Sequence, residues 1–126
     1  MNNENYWSKA ISLSDDAISQ KALIPLSTKV YKTRIEEYQN FEIRILLSKA
    51  PPHFLDTCPK PNPFKPWDKR LEVNYIDDHH VLILNKYPVQ KGHMLLITKE
   101  WAPQSGWLTI QDWKAMKAVD DDTSGL

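Results

Sequence analysis

Residues 79 to 99, HHVLILNKYPVQKGHMLLITK, hold two dense apolar runs around a polar centre. His80 to Leu84 is apolar and β-branched enough for a buried strand, Pro88 to Gly92 supplies a turn, and His93 to Thr98 is a second apolar run. The spacing predicts a β-hairpin. Pro cannot extend a ladder and Gly adopts positive φ readily, so both belong in the connection. Asn85 and Lys86 close the first strand and His93 opens the second, which gathers three polar side chains at one end of the hairpin. A polar rim above an apolar sheet is where a small ligand fits.

The same pattern extends outward. From Tyr38 to Leu47, Phe41, Ile43 and Ile45 alternate with Glu42 and Arg44, the period of a half-buried strand, and Leu71, Val73 and Tyr75 repeat it. The expectation is one antiparallel sheet with strands near 41–47, 71–76, 80–86 and 93–98, the last three in meander order. Ser14 reads as a helix cap before Asp15 and Asp16, with Ile18 and Ala22 as the apolar stripe, and Tyr6, Trp7, Ala10 and Ile11 are helix-compatible. One helix or two short ones are therefore expected within 5–23. ALIPLSTKVYK reads as an extended lead-in with little regular pairing. Residues 51 to 68 carry six prolines, an extended arm pinned by Phe54, Phe64 and Trp67. Thr109, with Asp112 three residues on, predicts a capped helix of about ten residues whose apolar side, Ile110, Trp113, Met116 and Ala118, packs across the sheet. The order of elements is α+β.

Composition narrows this reading. With 126 residues and 41% hydrophobic content the chain supports one modest core, hence a single domain over 1–126. Sixteen basic and sixteen acidic residues cancel, which argues against nucleic acid or an anionic membrane as partner but leaves room for a small polyanion met by local positive charge. Cys58 is the single cysteine, so no intrachain disulfide forms. The first twenty residues lack a secretory pattern and no apolar run reaches membrane-spanning length, so a soluble, cytoplasmic protein is expected. VDDDTSGL closes the sequence without a final packed element.

Candidate chemistry is sparse. The three glycines build no phosphate loop. Adjacent strand side chains point to opposite faces, so His79 and His80 cannot both serve one metal, and a turn or solvent role is the reading for the pair. His53 and Cys58 lie in the proline arm with no partner near in sequence. No metal ligand set is assigned. Asn85 is equally at home capping a turn, and His93 equally at home satisfied by a backbone carbonyl.

LNKYPVQKGHMLLITK resembles the first segment of the histidine triad (HIT) superfamily, in which an Asn near a strand end, a Pro-containing turn and a Gly-His pair precede an apolar strand. NPFKPWDKRLEV before the hairpin and TKEWAPQSGWLTIQDW after it, with ALIPLST and FEIRILLSK upstream, are similar to ATP adenylyltransferases, also called diadenosine tetraphosphate phosphorylases, over about residues 20–126. The resemblance implies a HIT-like antiparallel sheet with packed helices. Residues 1–70 would be the family's N-terminal extension and Pro-rich arm, and 71–126 the first part of the HIT core, incomplete at its C-terminus.

In that family a histidine of an H-x-H-x-Q motif attacks the α-phosphorus of the dinucleotide, and inorganic phosphate then takes the AMP to give ADP. The motif is absent from these 126 residues, so no catalytic residue is assigned and the chain alone is expected to be inactive. By the resemblance, Asn85 contacts the ribose hydroxyls, Lys86 adds charge toward ribose or phosphate, and His93 supports the catalytic histidine from behind. Lys49, between a strand end and Pro51, is a phosphate contact by placement alone. The implied partners are adenine nucleotides or diadenosine polyphosphates, phosphate, and either a missing C-terminal half or a second copy. No cofactor is defined, although the chemistry accommodates a divalent cation. The alternative is a non-catalytic HIT-like module that binds a nucleotide or a protein.

Overall fold

The computed structural model describes residues 4–35, 39–49, 62 and 64–124. Asn5 accepts a 2.8 Å hydrogen bond from the Ser8 N–H and so caps α1 (Tyr6–Ser19). The expected cap at Ser14 is wrong: Ser14 lies buried in mid-helix, aligned with Ala10 and Ala17 four residues before and three after. Asn5 offers the same capping chemistry nine residues earlier, and the helix runs through as one piece. Its inward stripe is made of small residues, which lets the helix lie close on the sheet, while Ile18 is exposed.

Beneath it lies a three-stranded antiparallel sheet in the order β3 (Glu72–Tyr75), β4 (His80–Leu84), β5 (Met94–Thr98). The meander and the hairpin stand as the sequence implied, with Leu84 opposite Met94 and His80 opposite Thr98. All five β4 residues are buried. Leu82 and Leu84 join Val73, Leu71, Ala10, Ala17 and Leu23 in the core between sheet and helix.

The remaining strands form a separate sheet, against the expectation of a single one. β1 (Thr28–Ile35) and β2 (Gln39–Leu46) pair with each other over their full length, from Thr28 opposite Leu46 to Ile35 opposite Gln39. The lead-in thus contains a regular strand: Pro25 sits before it, where no ladder bond is needed, and Thr28, Val30 and Tyr31 favour the pleat. The period-two pattern of β2 was legible, but its burial was not. Tyr31, Phe41, Ile43 and Ile45 share one face of the ribbon and remain 43–49% exposed. Most of the proline arm, with Phe54, His53 and Cys58, lies outside the described residues; at its end Trp67 Nε1 donates to Glu72 at 2.8 Å.

Helix α2 (Ile110–Thr123) opens with a complete capping box: Thr109 Oγ1 accepts from the Asp112 N–H, and Asp112 accepts from the Thr109 N–H. Its orientation corrects the sequence reading. Ala115 and Thr123 are buried and Val119 partly so, whereas Ile110, Trp113 and Met116 face outward. Positions 112, 115, 119 and 123 form one inward helical stripe, and at its start Asp112 accepts from His80 Nε2. No described helix is long and apolar enough to cross a membrane.

Candidate functional site

The hairpin closes at Asn85, whose N–H donates to the His93 carbonyl at 2.9 Å. Its side-chain Oδ1 accepts from the Tyr87 N–H at 3.0 Å, an Asx turn that starts the connection, and Nδ2 lies 3.5 Å from His93 Nδ1. The turn therefore fixes the amide oxygen of Asn85 and leaves Nδ2 beside the exposed imidazole. Lys86 projects outward with Nζ 5.6 Å from the Tyr87 ring centre. Its charge also reaches Asp68: hydrogen bonds from Arg70 hold that carboxyl below its usual range, and Lys86 adds a smaller attraction.

The turn is seated by two contacts. Gly92, at φ 77°, packs directly under Trp7 and Ile11 of α1, and the chain leading into the ribbon runs along the other side. There the Ile24 N–H donates to the Lys86 carbonyl at 2.8 Å and the Leu26 N–H to the Pro88 carbonyl at 2.9 Å. Ser27 then donates its N–H to Ser48 Oγ at 2.6 Å, and Leu47 donates to the Ser27 carbonyl at 2.8 Å. Arg44 adds a side-chain tie, with Nη1 3.1 Å from the Val89 carbonyl and 3.3 Å from Thr28 Oγ1. The structure thus brings Asn85 and His93 together with Lys86 next in the chain and turned outward, and holds the base of the ribbon, one residue before exposed Lys49, against the same turn.

A second polar cluster was missed by the sequence reading. His79 is exposed at the β3–β4 turn, but His80 is buried, with Nδ1 2.9 and 3.0 Å from the Asp77 oxygens and Nε2 2.8 Å from Asp112 Oδ1. Burial opposes charging the ring, but the hydrogen bonds and charges of Asp112 and Asp77 outweigh it and raise the His80 pKa. Both carboxyls are correspondingly held below their usual range. Asp112 is lowered first by the Thr109 N–H and then by His80; for Asp77, burial is outweighed by His80 and the two N–H groups of His79 and His80. The available signal was an Asp three residues before a histidine that opens an all-apolar strand. Asp112, from a distant helix, gave none.

Beside His80 a cavity of about 540 Å³ opens between β5, the 99–109 loop and α2, lined by Leu96, Trp101, Trp107 and Met116 among others. Its His80 edge lies at the opposite end of β4 from Asn85, ~17 Å along the strand at about 3.4 Å per residue. Among the described residues no three His, Cys, Asp or Glu side chains gather as a metal site.

A family model described as the Ap4A phosphorylase N-terminal domain matches residues 1–126. No curated protein sequence matches. The crystal structure of yeast Ap4A phosphorylase Apa2 in complex with AMP superposes with a TM-score of 0.73 at 26% identity, covering 99% of this chain and 41% of that one. A further crystal structure of Apa2 gives a TM-score of 0.67 at 25% identity, covering 97% and 39%. Apa2 in complex with Ap4A gives 0.66 at 24% identity, covering 97% and 43%, a likeness of fold. The chain thus spans about two-fifths of the length of these relatives, and the shared architecture is HIT-like α+β.

Proposed function

Because the chain belongs to the Ap4A phosphorylase N-terminal domain family, we propose that it supplies the ribose- and phosphate-contacting part of an ATP adenylyltransferase site, and that its 126 residues provide no nucleophile. What supports this reading is the family match over residues 1–126 together with the hairpin end, where Asn85 Nδ2 lies 3.5 Å from His93 Nδ1 and Lys86 is next in the chain. The AMP and Ap4A named in the Apa2 complexes are the ligands this chemistry fits.

Each group has a task that follows from its chemistry. The Asn85 amide, half-fixed by the Asx turn, is preorganised to hydrogen-bond ribose hydroxyls through Nδ2. Lys86 and Lys49 are exposed cations on two segments that the backbone ties together, suited to the oxygens of a phosphate chain. His93 orients its neighbours at the Asn85 side of the turn. Phosphorolysis of Ap4A needs a histidine nitrogen to bond the α-phosphorus as the P–O bond to departing ATP breaks. Inorganic phosphate then displaces that histidine and leaves as ADP. Of the histidines described, His80 has both nitrogens engaged, His79 sits at a remote turn, and His93 is the support.

Calorimetry with AMP and Ap4A tests the binding role. The 126-residue chain should bind, and Asn85→Ala should weaken binding by about 1 to 3 kcal/mol, the cost of leaving a polar partner unpaired. Equal affinities for the two proteins would reject the assignment. Chromatography of Ap4A incubated with the chain and phosphate should show no ATP or ADP formed; turnover abolished by His93→Ala would identify His93 as the nucleophile instead.

A further inference from the structure

Helix α2 is docked by a narrow contact. Of its 14 residues only Ala115 and Thr123 are buried, and both are small on the inward side. Polar ties hold the two ends. Near the C-terminus Asp122 accepts from the Tyr6 backbone N–H at 2.6 Å, a donor that does not titrate. At the start Asp112 accepts from His80 Nε2, while Nδ1 of the same ring faces both oxygens of Asp77 on the β3–β4 turn. The ring is 4% exposed, so water does not replace either partner. An imidazole with an acceptor at each nitrogen satisfies both only as the imidazolium; neutral, it turns a lone pair toward one carboxylate.

We propose that His80 is a pH-controlled latch on α2: charged, it clamps the start of the helix to the β3–β4 turn, and neutral, it lets that end swing out and open the wall of the adjoining cavity.

Several observations support the device. Asp77 faces the ring from the turn and Asp112 from α2; the residue opposite on β5 is uncharged Thr98, and Glu100, which also lines the cavity, is paired with Lys65. Among the described residues, two carboxylates hydrogen-bond the ring, and Lys99, which follows Thr98 of β5, places its Nζ over the Tyr75 ring at 4.6 Å. Because the folded pKa of His80 is raised, the clamp is complete below the ordinary histidine value and is lost as pH rises through the raised one. Asp77 and Asp112 are lowered, so their side of the clamp fails only as pH falls through their depressed values. Release leaves the helix itself intact, since Thr109 and Asp112 keep the capping box. Asp112 and Met116, which form the cavity wall, move with it. Release thus loosens docking, and the undocked turns keep their helical bonds on average but open more often.

Amide exchange of the whole chain followed by NMR between pH 5.5 and 9, corrected for intrinsic rates, tests the latch alongside the His80 ring nitrogen shifts. Protection at residues 115–119 should fall at least about tenfold as the His80 ring loses its proton. Protection in α1 and the far-ultraviolet helix signal should hold. Constant protection through the His80 titration, or a ring already neutral at pH 5.5, would overturn the proposal. His80→Gln, which cannot charge, should lose the pH-dependent step; retention of the step in a folded His80→Gln would also overturn it. Should that variant fail to fold, the wild-type titration decides alone.

Discussion

Gly92→Ala would place a methyl group where Trp7 already sits. A Cβ at this position lies 2.6 and 2.7 Å from Trp7 Cζ3 and Cη2 and 3.0 Å from Ile11 Cδ1, and the backbone holds φ at 77°. The ring is planar and stiff, so it cannot give as the tip of a lysine could. Left-handed φ costs an L-residue about 1 to 2 kcal/mol, and overpacking of this kind typically adds about 1 to 3. The substitution should therefore destabilise the chain by roughly 2 to 5 kcal/mol, against a whole-domain stability of about 5 to 15. Urea unfolding monitored by tryptophan fluorescence measures it. Pairing Gly92→Ala with Trp7→Leu should recover at least about 1 kcal/mol, because the two residues touch. A loss below about 1 kcal/mol, or strict additivity in the double variant, would refute the packing described for this turn.

Three further outcomes follow from the geometry. Stability measured by urea across pH 3 to 9 should decline on both sides: on the acid side as Asp77, Asp112 and Asp68 protonate through their depressed values, and on the alkaline side as His80 loses its proton through its raised one. A flat alkaline limb would contradict the His80 ion pairs. Thr109→Ala should cost about 1 kcal/mol in urea unfolding by removing half of the capping box; no measurable change would mean that α2 is held by other contacts. Arg44→Ala unties the ribbon from Val89 and, under the role proposed for Lys49 on phosphate, should weaken AMP relative to adenosine in parallel titrations; equal weakening of both would remove Lys49 from the proposed phosphate site.

The hairpin was legible because a buried run, a Pro-to-Gly turn and a second apolar run leave few alternatives, and the gathering of Asn85, Lys86 and His93 followed from it. The Gly-His pair was recognisable as a motif, but the reason for its glycine was not: Trp7 approaches from a helix 85 residues earlier in the chain. Burial was the weakest inference. Period two in β2 and the Ile110, Trp113, Met116 stripe both read as inward faces, yet both face outward, because the side on which an element packs depends on partners remote in sequence. In α2 Asp112 accepts from a buried histidine on the inward side, and small residues rather than large ones took the interior. The His80 cluster escaped notice for the same reason: one of its two carboxylates comes from 32 residues away.

Backbone amide shift mapping by NMR, with AMP titrated into the 126-residue chain, tests the ligand assignment most directly. The amides of Asn85, Lys86, Tyr87 and His93 should move together along one saturating curve, with those at the base of the ribbon near Lys49 following. Shifts confined to the cavity around Leu96, Trp107 and Met116, or no saturating shifts at all, would contradict it.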